Sequence, residues 1–229
     1  MRYLVALESP ELRFDPVGRP HISLIQPTLI LAGYTGSDDA AIRAHIDEMA
    51  AIGVPKPSTI PTFTELNAGL LTSEPQIVVL AENTSGEAEP VLIRHGADYY
   101  LGLGSDHTDR DMERESIPAS KAACPKPVGR TIIPMAGPPS SWTWGDGRIA
   151  STVDGKPYQD EPLLAIRTLA DLLAALESAL GPIAGDLVMF CGTVGLIDGE
   201  YLPGEKWLLS LQVGQHAITH SYETTVRSS

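Results

Sequence analysis

Cysteine is nearly missing from this chain: Cys124 and Cys191 are the only two among 229 residues. They lie far apart, in no metal-binding or redox spacing, so a disulfide framework is not expected and a reducing cytoplasm is the expected home. Positive charge is also scarce. Lys and Arg number 16 against 29 Asp and Glu, a net charge of −13. A chain this acidic, with no basic stripe interleaved with aromatics, repels phosphate backbones, so nucleic acid is not an expected partner. No apolar run approaches the roughly 18–20 residues of a membrane helix, which argues against a membrane partner. The opening residues meet Glu8 and Pro10 too soon for a signal peptide. Internal repeats and low-complexity tracts do not occur.

What is present is an ordinary globular composition, 43% hydrophobic. Gly (21) and Pro (19) are frequent, yet together stay below the roughly 25–30% that marks disorder. Short strands are predicted at Arg2–Leu7, His21–Ile25 and Thr28–Leu31. A helix then runs from an N-cap at Ser37 or Asp38 to about Ile52, ended by Gly53 and Pro55, with Ile42, Ile46 and Met49 as its apolar stripe. Residues 55–64 hold three prolines and read as a stiff linker or a cleft floor. The division expected is therefore a small N-terminal subdomain, 1–60, carrying the helix, and a β-rich core, 61–229. Within the core, strands are predicted at Gln76–Ala81, 87–94, 99–104, 186–191, 206–213 and 216–223. Residues 112–150 read as irregular. Asp154-Gly155 marks a hairpin, and leucines at three and four predict a helix over Pro162–Leu180. Strands outnumber helices and do not alternate with them, so the class is α+β, strand-dominated.

The chemistry concentrates in Glu87-Ala88-Glu89. Residues two apart on a strand share a face, so Glu87 and Glu89 point with Val91 and Ile93. Folding the chain about Gly96-Ala97 pairs Arg94 with Tyr99, which sets Glu89 opposite Gly104 and Glu87 opposite Asp106. Directly paired residues project to one face, so three carboxylates converge beside a glycine that leaves room. Such a face is either a solvated hairpin surface or a cation site, because three close anions resist ionising together unless something neutralises them. All-oxygen donors favour Mg²⁺ or Mn²⁺ over Zn²⁺.

Further residues carry a resemblance. Gly102 to Asp111 (GLGSDHTDRD), followed by Ser120-Lys121-Ala122-Ala123-Cys124-Pro125, resembles the fumarylacetoacetate hydrolase superfamily. Its members carry a glycine-led strand into an Asp, then an Arg-Asp pair, then a Lys shortly before Cys-Pro, with Glu-x-Glu upstream. Val153 to Gln159, Gly185 to Thr193 and Leu202 to Glu205 resemble its later motifs, so the match covers about residues 77–223. Val194 stands where proline is common, and His107 and Asp109 where small or apolar residues are usual, which marks a divergent branch.

The resemblance implies a mixed β-sheet roll or sandwich like that superfamily's C-terminal-domain fold. It implies Mg²⁺ or Mn²⁺ on Glu87, Glu89 and Asp106. It also implies a lid dyad, His45 with Glu48, that activates water, although that pair is equally a routine i,i+3 surface pair. Lys121, Arg110, Gly192 and Thr193 become substrate-binding candidates, with Lys121 also catalytic and Arg110 fit to buttress the carboxylates. His107 is either a second acid/base or a hydrogen-bonding structural histidine. Trp142 and Trp144 read as core or lid packing, and both cysteines as buried small hydrophobes. The activity implied is metal-dependent hydrolysis of a carbon–carbon bond in a small oxo-acid of the β-diketo type, through a metal-bound enolate. A decarboxylase, isomerase or sugar-acid dehydratase on the same site is the nearest alternative. A non-catalytic small-molecule- or metal-binding protein of the same fold is the other. A homodimer is expected from the family.

Overall fold

The computed structural model describes residues 11–51 and 56–227, with the backbone but not the side chains of positions 45, 48 and 49. The predicted Arg2–Leu7 strand lies outside that range. The chain is strand-dominated α+β, as expected. A mixed eight-stranded sheet faces a five-stranded one, and two short two-stranded ladders complete the strands among the described residues.

The central hairpin forms in the register read from sequence. Strands Ala88–His95 and Asp98–Ser105 pair with Arg94 opposite Tyr99 and Glu89 opposite Gly104. Gly96, at φ +59°, takes the first loop position, the left-handed one that a two-residue turn demands. Both faces of the Ala88–His95 strand are covered. Val91 and Ile93 join Phe14, Leu29 and Phe190 on one side, and Leu92 joins Leu101, Ile149, Leu209 and Leu176 on the other. The strand therefore cannot slip by one residue without exchanging glutamates for apolar side chains on a buried face.

The Asp154-Gly155 hairpin is present, with both residues at positive φ, joining Arg148–Val153 to Lys156–Pro162. A bulge after Ser151 turns consecutive residues Tyr158 and Gln159 inward together, which a regular strand forbids. Gln159 thereby reaches back to the glutamate strand.

Several element predictions are corrected. The Pro162–Leu180 helix is instead a 3-10 turn, Leu163–Ala165, and a helix confined to Leu169–Leu180. The Trp144 indole takes the carbonyls of Ile166 and Arg167, and Thr168 caps the helix through Asp171 N. The proline-rich stretch does not stay a linker, since Thr62–Leu66 is a strand paired with Thr28–Gly33. Residues 112–150 hold a helix at Ile117–Ala122 and a strand at Thr131–Pro134. Leu12–Pro16 is an additional strand whose alternating burial was present in the sequence. Strands from before and after residue 60 share the eight-stranded sheet.

The first long helix spans Asp39–Ala51, with Asp38 accepting from Ala40 N and Ala41 N. Its entry is tied to the segment before the second helix. Ser37 N donates to Ala165 O, Arg167 N donates to Thr35 O, and Arg167 meets Asp39. Ile42 and Ile46 are buried, as their spacing predicted.

A candidate metal centre

The hairpin brings the three carboxylates together. Glu87, Glu89 and Asp106 each offer an oxygen within 4.8 Å of the others. They are 8%, 3% and 1% exposed, which excludes the solvated-face alternative. Asp106 N donates to Glu87 O at 3.0 Å, carrying the pairing one step past the strand ends. The glycine opposite Glu89 does not leave open room, however. A Cβ at Gly104 would lie 2.7 Å from the Phe190 ring and 2.9 Å from Pro127 O, so the glycine admits packing rather than a ligand.

Cations surround the trio. Lys121, in the last turn of the Ile117–Ala122 helix, donates to Asp106 Oδ2. Lys126, fully buried, places its ammonium 3.0 Å from Asp106 Oδ1 and donates to His107 O at 2.6 Å. The Oδ1 contact is an ion pair off hydrogen-bond direction, and that oxygen has no hydrogen-bond donor. Arg110 lies 3.5 Å from Glu87 Oε2 and 2.9 Å from Glu113 Oε2, and its Nε donates to Ser85 Oγ at 2.6 Å. Its guanidinium also stacks 3.6 Å from the Tyr201 ring centre. Arg110 therefore buttresses Glu87 with its donors already engaged.

Charge follows from this geometry. Burial pushes the Glu87 carboxyl up against the pull of Arg110 and Lys121. Burial and then the Asp106 charge push Glu89 well up, opposed by Lys121 and by the Gly192 amide. Asp106 goes the other way: burial would raise it, but Lys121 and Lys126 hold it down at about 2. Two glutamates are thus left short of positive charge beside one ionised aspartate. No hydrogen bond reaches the Glu87 carboxylate among the described residues, and the Glu89 carboxylate accepts one, from Gly192 N at 2.8 Å. Under-satisfied hard oxygen donors on three converging carboxylates suit a divalent cation such as Mg²⁺ or Mn²⁺.

Gly192 and Thr193 hold the same scaffold. Gly192 sits at φ +90°, and a Cβ there would fall 1.8 Å from Thr35 Oγ1, so only glycine can present this amide to Glu89. Thr193 Oγ1 donates to Ala88 O at 3.1 Å and accepts from Gln159 Nε2 at 2.7 Å. Gln159 Oε1 accepts from Ala88 N at 2.9 Å, which fastens the residue between the glutamates.

Of the remaining candidates, His107 is the structural histidine. Nδ1 meets Tyr222 Oη and Nε2 meets Thr84 Oγ1, both at 3.0 Å, and burial with Lys126 and Arg110 nearby lowers it to about 3. Asp109 caps the Arg110–Glu113 helix. Trp142 and Trp144 pack in the core, and both cysteines are free and buried. His45 and Glu48 lie on the Asp39–Ala51 helix, but their side chains are outside the described residues. Sequence reading missed Lys126, a lysine between two prolines with nothing local to mark it, and Tyr201, an aromatic in a loop.

Comparison with known proteins agrees with this architecture. A family model described as "Protein of unknown function (DUF2848)" matches residues 32–222. No curated protein matches the sequence. Among solved structures, fumarylpyruvate hydrolase from Pseudomonas aeruginosa in complex with Mn²⁺ and pyruvate superposes with TM-score 0.64 at 16% identity, covering 99% of this chain and 100% of that one. A Burkholderia cenocepacia protein, provisionally called a fumarylpyruvate hydrolase, gives 0.63 at 18%, covering 100% and 96%. The 5-carboxymethyl-2-hydroxymuconate delta-isomerase from Mycobacterium smegmatis gives 0.59 at 16%, covering 90% and 82%. The fold is that of the fumarylacetoacetate hydrolase superfamily, as the motifs implied.

Proposed function

The chain belongs to the DUF2848 family, and from that premise we propose that it is a metal-dependent hydrolase of a small β-diketo acid. The observation that carries the reading is the buried trio Glu87, Glu89 and Asp106 with Lys121 at its edge. A solved relative in fold is a hydrolase crystallised with Mn²⁺ and pyruvate, which supports an oxo-acid as the ligand class.

Glu87, Glu89 and Asp106 would hold the ion. When bound, it supplies Lewis-acid polarisation of the oxo-acid's carbonyl. The protein's own groups do the rest. His45, oriented by Glu48, takes a proton from water as the water oxygen bonds to the distal carbonyl carbon. The carbon–carbon bond then breaks, its electron pair passing to the 2-oxo-acid fragment as an enolate, while the distal fragment leaves as a carboxylic acid. Lys121 steadies the enolate oxygen, and a proton returns to its carbon. Arg110, Gly192 and Thr193 serve the reaction by fixing Glu87 and the glutamate strand.

The test is turnover. With Mn²⁺ present, loss of the ultraviolet absorbance of a β-diketo acid should accompany stoichiometric release of a 2-oxo acid, and His45→Ala should abolish it. Release of carbon dioxide instead would assign a decarboxylase. Metal binding without turnover of such acids would leave a non-catalytic binding protein.

A further inference from the structure

We propose that Lys126 is a positioning residue: a buried cation beside Asp106 that weakens the site's hold on the ion and strengthens its hold on an anionic oxo-acid. This rests on reading the trio as a metal site.

The two lysines on Asp106 are not equivalent. Lys121 has an 18% exposed side chain and reaches Oδ2, and its charge is felt by both glutamates. Lys126 stands on the other oxygen, its side chain 0% exposed, and is held between that oxygen and the His107 carbonyl. Lys121 reaches the edge of the site, whereas Lys126 is fully enclosed.

The consequence follows from charge. Three carboxylates, a divalent ion and the Lys121 ammonium sum to zero, and the Lys126 ammonium adds the one positive charge that attracts an oxo-acid anion, where low dielectric makes it count. The same charge opposes the incoming metal, so the two affinities must move in opposite directions when it is removed.

Calorimetry on the full chain tests this. Mn²⁺ is titrated into wild type, Lys126→Met and Lys126→Gln, and oxalate into each Mn²⁺-loaded protein, with thermal melts on the same samples. Lys126→Met should bind Mn²⁺ several-fold more tightly and oxalate about tenfold more weakly, whereas loss of an ordinary supporting residue weakens metal binding by about 10–100-fold. Lys126→Gln keeps N–H donors but no charge. It should weaken oxalate without weakening Mn²⁺, and it carries the same reading if the Met variant does not fold. Parallel loss of both affinities, or no change in either, would overturn the proposal while leaving the metal site standing. Wild type that binds no Mn²⁺ would remove the metal reading itself and this inference with it.

Discussion

Glu87 and Glu89 occupy a volume where burial and mutual repulsion favour the protonated form, and this fixes the sign of a pH effect. A carboxyl whose folded-state value is raised costs stability as pH climbs from its unfolded value toward the raised one. Asp106, held at about 2 by its lysines, acts oppositely and loses its contribution only as pH falls below its unfolded value. A divalent ion requires all three deprotonated, so its binding releases protons from the glutamates. The rise in melting temperature produced by saturating Mg²⁺ should therefore be larger near about pH 7.5 than near about pH 5. A gain that is equal at both, or larger in acid, would contradict this charge distribution. At this scale the three carboxylates were legible in sequence because a strand period and a two-residue turn place them without reference to the rest of the chain. Lys126 was not, since it arrives by tertiary packing from a segment between prolines.

The helix Asp39–Ala51 is the element on which the proposed chemistry depends. Its first turn is fastened at Ser37 and Asp39, and Thr35, just ahead of it, presses on Gly192, whose amide holds Glu89. A helix that carries the proposed water-activating pair should close more firmly when the site is filled, because the attacking water must be placed and bulk water kept out. Hydrogen exchange of its amides should slow when oxalate and Mg²⁺ are added together. Unchanged exchange would make the helix a permanent packing element. The existence of this helix was readable from Asp38 and the Ile42/Ile46 spacing. The shortening of the second helix was not, because the indole that meets the Ile166 and Arg167 carbonyls at its entry comes from Trp144, 22 and 23 residues away in sequence.

Two facing sheets explain why the metal candidate lies deep in an acidic molecule. The glutamate strand is central in the larger sheet, and the second sheet, led by the bulged hairpin, delivers Gln159 to it. Class and hairpin register followed from local patterning, whereas the sheet order, in which Thr28–Gly33 lies beside Leu187–Phe190, depends on contacts far apart in sequence. No described helix is long and apolar enough to cross a membrane. Val78, Leu80 and Leu208 are exposed on or beside strands of the smaller sheet, and we expect a homodimer to cover apolar surface of this kind. Light scattering should return twice the 24.5 kDa chain mass, and a monomer stable to concentration would refute that expectation.

The central claim is that Glu87, Glu89 and Asp106 together hold a divalent ion, and Mn²⁺ titration of wild type against Glu89→Gln tests it most directly. Glu89→Gln keeps the side chain's shape and an oxygen near Gly192 N while removing the charge. The account predicts one Mn²⁺ per wild-type chain and at least about tenfold weaker binding in the variant, with melting of the metal-free proteins little changed or slightly raised. Equal affinity in the two proteins would contradict it.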